Sequence, residues 1–288
     1  MRKDLLKSLL CVFCLFIGSS VVNAQIETPQ PSPASTLIQK VGLADVTINY
    51  SRPGVKDRVI FGDLVPFDKV WRTGANASTK ISFTEEVKLE GNTIPAGEYA
   101  LYTIPSKSEW TIIIHKNTSH WGDSGYKAEE DLVRFKVKPQ RSPTLIETFN
   151  FNITDITNTT AILQMAWENT VVNIKLETDI DSQIMASIEK NIINMDRNNA
   201  NLYYQAANYY LTANKDMNQA LEWINIALDA RPDAFWYAHL KAKIQAQNKD
   251  YKNAIKSAEH SKQLAEKANN PAYVKMNEKL IAEYEKMM

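Results

Sequence analysis

The side chains of this sequence that could do chemistry are most concentrated around two histidines in the middle of the chain. His115 and His120 precede Asp123 and Glu129, and imidazole and carboxylate groups bind metal ions where several of them converge. The sequence has no H-x-H or H-E-x-x-H spacing, so we interpret these residues as loop residues near a strand end. The acidic run 129–131 is interpreted as a solvated edge, with loose calcium binding as the alternative. We therefore expect no metal ion and no cofactor.

A possible nucleophile follows the two histidines. The string Gly122-Asp123-Ser124-Gly125 is similar to the nucleophile motif of chymotrypsin-like serine proteases, but Tyr126 stands where that family has a second glycine. A serine nucleophile needs a base within hydrogen-bond reach and a third group that orients the base. Both upstream histidines lie far too close in sequence for that family's order. We interpret the string as a polar turn and predict no catalytic residue.

The turn of residues 71–76 (WRTGAN) is a candidate binding site. An indole offers a flat apolar face and a guanidinium offers paired donors, which together suit a carbohydrate or a carboxylate. The competing interpretation places the indole in the core and pairs the arginine with an acid. Trp110 belongs to the same hypothesis, which is a carbohydrate-binding or glycan-processing module. The predicted ligand-binding residues are Trp71, Arg72, Asn76 and Trp121.

The segment that must position these residues, 35–177, contains runs in which polar and apolar side chains alternate along the sequence. Period two with one polar face is typical of half-buried antiparallel strands, and eight to ten short strands predict an all-β sandwich. The alternation is clearest over 46–50, 133–138, 149–153 and 172–176. Turns are predicted at Gly91-Asn92, 155–158 and Glu168-Asn169.

Several strings in this half carry a family resemblance. They are residues 50–76, 94–105, 109–114, Trp121-Gly122 and 132–139. Together they resemble the bacterial secreted family known as domain of unknown function 2911, over about residues 30–178. The resemblance implies a secreted or periplasmic β-rich domain, and it supplies neither an activity nor catalytic residues.

From residue 178 to 288 the apolar period is helical. Residues 214–221 (NKDMNQAL) recur 34 positions later as 248–255 (NKDYKNAI). A helix-turn-helix period of this length resembles the tetratricopeptide repeat, with repeats over 201–234 and 235–268 and capping helices on both sides. An unrelated helical bundle is the alternative. The predicted helices are 179–197, 200–213, 217–230, 234–247, 251–268 and 271–287.

The repeat resemblance also implies a binding groove. In that family the first helix of each repeat lines a concave surface, and an aromatic side chain beside a cation there can hold an extended peptide. The alternative is that the aromatic residues pack under a neighbouring helix. The residues placed in the groove are Gln205, Tyr209, Trp236, His239 and Lys243.

The first 24 residues have the pattern of a secretory signal peptide. Basic residues precede an apolar run over 9–17, and cleavage is expected after Ala24. The run is too short to span a membrane, so a membrane anchor is the less favoured alternative. Both cysteines, Cys11 and Cys14, lie in it, so the mature chain has no disulfide. A Pro-rich leader, 25–34, follows.

The overall charge excludes one class of partner. Lys and Arg number 33, as do Asp and Glu, so no basic excess points to nucleic acid. We predict a periplasmic or extracellular, non-enzymatic binding or scaffold protein, whose helical repeats contact another envelope protein or a peptide. A carbohydrate-binding or glycan-processing module is the second hypothesis, and a metal-dependent hydrolase is the third. We expect no transmembrane segment in the mature chain.

Overall fold

The computed structural model describes residues 28–192 and 199–288, so the predicted signal peptide lies outside the described residues. The chain divides between Thr178 and Asp179 into two compact units. No helix in the described ranges combines the length and apolar character that a membrane crossing requires.

The described part of the first unit, residues 28–178, contains ten strands in two antiparallel sheets, which confirms the predicted all-β region. The strands are β1 Ala34–Val41, β2 Ala44–Ser51, β3 Thr79–Phe83, β4 Val87–Leu89, β5 Asn92–Ile94, β6 Gly97–Ile104, β7 Trp110–His115, β8 Asp131–Val137, β9 Gln140–Thr154 and β10 Thr160–Thr178. One sheet has the order β1-β2-β3-β6-β7-β8 and the other has the order β5-β4-β10-β9.

The core of this unit draws buried side chains from both sheets. In β2 the alternation buries Val46, Ile48 and Tyr50, because successive side chains of a strand point to opposite faces. An aromatic cluster lies at one place in this core, where Trp71 stacks on Trp167 with ring centroids 5.9 Å apart and an interplanar angle of 16°. Phe61, Trp110 and Phe149 pack around this pair.

Two of the predicted turns have different outcomes. The tight hairpin near Gly91 is confirmed, because β4 and β5 pair across Glu90 and Gly91, which both have positive φ. The predicted turn at Glu168-Asn169 is wrong. Glu168 has a φ of 53° and forms a bulge within β10, and its Oε1 accepts a hydrogen bond from the Ile60 N–H at 3.2 Å.

The second unit is all-helical, as predicted. Residues 193–197 of the first predicted helix lie outside the described residues. The helices are α1 Ile180–Ile192, α2 Ala200–Thr212, α3 Met217–Ala230, α4 Phe235–Gln247, α5 Tyr251–Lys267 and α6 Pro271–Glu285. Asp216 and Asp250 cap the N-termini of α3 and α5, since each side chain accepts at least one hydrogen bond from a backbone N–H group of the first turn.

Candidate functional site

The structure places Trp71 in the core rather than on a ligand surface, which corrects its predicted role. Its side chain is 8% exposed, and its indole N–H donates to the Gly74 carbonyl at 3.2 Å. Its backbone pairs with Thr103 of β6 in both directions. A single backbone bridge to β6 holds Trp71 in place, and its indole stacks on Trp167. Little of the indole surface is therefore left for a ligand.

Arg72 and Asn76 stabilise the same turn through side-chain hydrogen bonds. The Arg72 Nη1 donates to the Asn76 carbonyl at 2.9 Å, and Asn76 has a φ of 61°. The Asn76 amide donates to the Ser32 carbonyl at 3.2 Å and to the Ser51 hydroxyl at 3.1 Å. These contacts hold a non-glycine residue in the left-handed region, where an unsupported side chain is strained.

A cavity of about 390 Å³ opens beside Asn76. The Trp121 side chain borders it and is 69% exposed, so the indole is accessible from solvent. Of the four predicted ligand-binding residues, the structure therefore brings Asn76 and Trp121 together. An exposed indole beside amide and hydroxyl groups can stack on a sugar ring and hydrogen-bond its hydroxyls. The remaining lining residues are Gln30, Pro31, Ser32, Ser51 and Ala77.

A second cavity, of about 470 Å³, was not indicated by the sequence. Trp110 contributes to its wall but is only 3% exposed, so it serves mainly as a core residue. The cavity combines the aromatic side chains of Phe61 and Phe67 with the charged groups of Arg141 and Glu168. These four residues come from separate segments, so their spacing along the chain does not indicate a cavity. Of the four, the sequence singles out only Glu168, at a predicted turn, and this residue forms the bulge of β10.

His115 lies at the end of β7 and is completely buried, with an exposure of 0%. Its Nδ1 is 2.9 Å from a carboxylate oxygen of Asp131, the first residue of β8. The Tyr126 hydroxyl donates to the same carboxylate, and the Arg134 Nε also donates to it. Burial, reinforced by the hydrogen bond to Asp131, raises the pKa of Tyr126 to about 12. The phenol therefore stays a hydrogen-bond donor over the neutral pH range.

His120 lies near His115, with ring centroids 5.5 Å apart. The His120 Nδ1 is 3.2 Å from the Tyr102 hydroxyl, whose single hydrogen is donated to the Gly122 carbonyl at 3.2 Å. The structure thus brings the two histidines together, and it adds Glu130, whose carboxylate lies 3.4 Å from the His115 Nε2.

The other polar residues of this segment do not join the histidines. Asp123 and Glu129 are exposed, and neither belongs to the group of side chains that converges on His115. The string 122–125 forms the predicted polar turn, closed by a hydrogen bond from the Tyr126 N–H to the Asp123 carbonyl at 3.1 Å. The solvated-edge interpretation is wrong for Asp131, because its side chain is only 7% exposed.

Among the predicted groove residues of the helical unit, the prediction is wrong for His239, which is buried, and the Tyr209 hydroxyl is already bonded within the unit. His239 is buried, and its Nδ1 lies 2.7 Å from the Asn277 side-chain oxygen of α6, with Tyr273 packed against the ring. Its imidazole is therefore covered by α6. The Tyr209 hydroxyl donates to Asp181 of α1, which ties α1 to α2.

The remaining predicted groove residues are accessible. Gln205 and Lys243 are exposed, and Trp236 is half-buried. The guanidinium of exposed Arg231 lies 5.1 Å from the centroid of the Trp236 ring. Helices α2 and α4 contact each other through stacked Tyr204 and Tyr237, with ring centroids 4.7 Å apart and an interplanar angle of 22°.

Comparison with known proteins gives one finding. The family described as Protein of unknown function (DUF2911) matches residues 32–176, which is half of the chain. No curated protein and no solved structure matches the sequence.

Proposed function

The chain belongs to the family described as Protein of unknown function (DUF2911), and we propose that it is an exported, non-enzymatic binding protein whose helical unit binds an extended acidic segment of another envelope protein. Export is proposed from the charged and apolar pattern of the first 24 residues.

The two helical hairpins support a repeat architecture similar to the tetratricopeptide repeat. Their second helices, α3 and α5, begin after capping Asp216 and Asp250, which are 34 residues apart. Ala220 and Ala254 occupy equivalent positions four residues after each cap, and both are fully buried. Small buried side chains let paired helices approach closely, which a stacked repeat needs. The turns that precede the caps each contain one residue with positive φ, Asn214 in the first and Lys249 in the second.

The observation that carries the proposal is the cationic and aromatic surface on α4. Trp236 and Lys243 are seven residues apart and therefore share one face of the helix. Arg231 adds a second cation over the Trp236 ring. A flat apolar ring with one cation over it and a second cation two turns further along the helix favours an acidic chain with an occasional apolar side chain. Charge complementarity selects the partner, while the aromatic group supplies contact area.

The test uses the full chain and a fluorescein-labelled peptide with a repeated Glu-Pro-Glu-Leu sequence, in which proline disfavours helix formation. We expect salt-sensitive binding, detected by fluorescence anisotropy, and weaker binding of the matched Lys-Pro-Lys-Leu peptide. The double variant Arg231→Ala, Lys243→Ala should bind at least about tenfold more weakly. Lys256→Ala, an exposed lysine on α5, is the control. Equal affinities of the double variant and the control contradict the proposal, as does equal binding of both peptides.

A second candidate function, glycan binding, is favoured by the cavity beside Asn76 and the exposed indole of Trp121. The test is titration with soluble oligosaccharides of glucose and of N-acetylglucosamine, monitored by intrinsic tryptophan fluorescence. We expect a saturable change that Trp121→Ala abolishes. Leu145→Ala, which removes another exposed apolar side chain of this unit, should leave it unchanged. Saturable binding that persists in Trp121→Ala, or no binding at all, contradicts this candidate.

A further inference from the structure

A buried polar cluster at the end of β7 is not explained by the binding surfaces described above. The cluster consists of His115, His120, Glu130 and Asp131. A fully buried imidazole needs partners for both ring nitrogens, because a buried polar group without a hydrogen-bond partner destabilises the fold. One nitrogen of His115 has such a partner and the other does not.

The partnered nitrogen fixes the tautomer of the neutral ring. The His115 Nδ1 lies 2.9 Å from Asp131 Oδ1, and a carboxylate only accepts hydrogen bonds, so Nδ1 carries the hydrogen. Asp131 is in turn held by Tyr126 and Arg134. In the neutral imidazole, Nε2 therefore presents a lone pair. A carboxylate that orients an imidazole in this way is the usual support of a metal-ligating histidine.

The unpartnered nitrogen faces a second acceptor. The His115 Nε2 and the Glu130 Oε2 are both buried, and neither has a hydrogen-bond partner among the described residues. They lie 3.4 Å apart. In the neutral ring both atoms are acceptors, and two acceptors at this distance repel each other unless a cation lies between them. Two ligand atoms of a tetrahedral zinc ion, each at about 2.0–2.1 Å, are about 3.3 Å apart, so the observed spacing suits a bridging ion.

A third ligand comes from the loop between β7 and β8. One ring nitrogen of His120 lies within 4.8 Å of the ligand atoms of both His115 and Glu130. Since the ligand atoms of a tetrahedral zinc ion are about 3.3 Å apart, the His120 nitrogen needs to approach the other two ligand atoms by about 1.5 Å at most. Because His120 belongs to a loop rather than to a strand, this movement leaves the paired strands in place. The loop contains Gly122 and Gly125, both with positive φ.

We propose that His115, His120 and Glu130 bind a divalent metal ion, and that zinc is the ion that best fits them. Two imidazoles and one carboxylate form a ligand set that zinc accepts, and they leave a fourth tetrahedral position for water. Softer or harder ions fit less well, since there is no thiolate in the set and only one carboxylate. Asp131 acts as a positioning residue, because it holds the His115 ring with Nε2 directed at the ion.

The test uses the full chain, stripped of metal with EDTA and titrated with zinc chloride by isothermal titration calorimetry. We expect one zinc ion per chain. Glu130→Gln and His120→Gln should each weaken binding by more than about tenfold, and Asp131→Asn should weaken it about 10–100-fold. Glu129→Gln, an exposed acid next to the site, and His260→Gln, an exposed histidine on α5, are matched controls that should bind like the unaltered chain.

Two further measurements separate a lost ligand from a lost fold. Far-UV circular dichroism in EDTA should be the same for all variants, and any variant whose spectrum differs is replaced by its alanine counterpart. Cobalt(II) bound in place of zinc should give the strong visible absorption of tetrahedral coordination. The proposal is overturned by the absence of stoichiometric zinc binding, by equal affinities of Glu130→Gln and Glu129→Gln, or by the weak absorption of octahedral cobalt.

Discussion

At the scale of single residues, Gly122 is the position where the loop between β7 and β8 contacts the turn of residues 71–76. Its φ is +72°, and a Cβ placed on it would lie 2.8 Å from the Arg72 Nη1. Its carbonyl accepts the hydrogen bond from Tyr102. The contacting atoms are the far end of the Arg72 side chain, and moving them weakens the hydrogen bond from Arg72 to the Asn76 carbonyl, so a side chain at position 122 disturbs both segments.

We predict that Gly122→Ala lowers the free energy of unfolding by about 2–3 kcal/mol, from backbone strain and a lost hydrogen bond together. Gly91→Ala is the matched control, because Gly91 also has a positive φ but a Cβ there meets nothing within 4 Å. It should lose only about 1 kcal/mol. Urea unfolding of both variants measures the difference, and equal losses would refute the close contact with Arg72.

His239 gives the helical unit a dependence on pH. Burial lowers the pKa of His239 below 6.5, an effect that the hydrogen bond to Asn277 opposes and nearby Lys243 reinforces. As the pH falls through about 6.5, the unfolded chain binds a proton that the folded chain resists. The unfolded state then holds more protons, so the free energy of unfolding decreases with falling pH.

We predict that His239→Gln reduces this acid destabilisation. The measurement is urea unfolding followed by circular dichroism at a helix-sensitive wavelength, at about pH 7.5 and about pH 5.5. His260→Gln, which alters an exposed histidine on α5, should keep the pH dependence of the unaltered chain. An unchanged dependence in His239→Gln would show that this imidazole is not responsible.

At the scale of elements, the sequence predicts the helices well and the site poorly. Helices α2–α6 lie within two residues of the predicted bounds, because the 3.6-residue period is a local signal. Asp or Asn side chains cap four of these five helices, α4 being the exception. The site depends on strand register. His115 stands opposite Asp131 because β7 pairs with β8 across a 15-residue intervening segment, and spacing along the chain does not reveal that pairing. Likewise, Trp71 and Trp121 both lie in turns, where no alternation distinguishes a buried tryptophan from an exposed one.

The turn between α4 and α5 offers a test of the helical hairpin. Lys249 follows α4 with a φ of 62°, a conformation that glycine adopts without strain. We predict that Lys249→Gly raises the free energy of unfolding by about 0.5–1 kcal/mol. Lys252→Gly, an equivalent change inside α5, should lower it by about 1 kcal/mol. Thermal unfolding should show midpoints moving in opposite directions, and a decrease for Lys249→Gly would contradict the assigned turn.

At the scale of the whole molecule, each large core cluster takes its residues from one of the two units. We therefore predict two unfolding transitions in urea, one seen by circular dichroism at a helix-sensitive wavelength and one by the near-UV signal of the stacked Trp71 and Trp167 indoles of the β unit. Gly122→Ala should shift only the aromatic transition, and Lys249→Gly only the helical one. A single coincident transition that both variants shift equally would show that the units unfold as one.

The parallel indoles of Trp71 and Trp167 also have an optical consequence. Two identical chromophores, stacked 5.9 Å apart and inclined by only 16°, couple their electronic transitions as an exciton pair. The β unit thus carries a built-in spectroscopic probe, whose intensity depends on the mutual orientation of two rings that are 96 residues apart in the sequence.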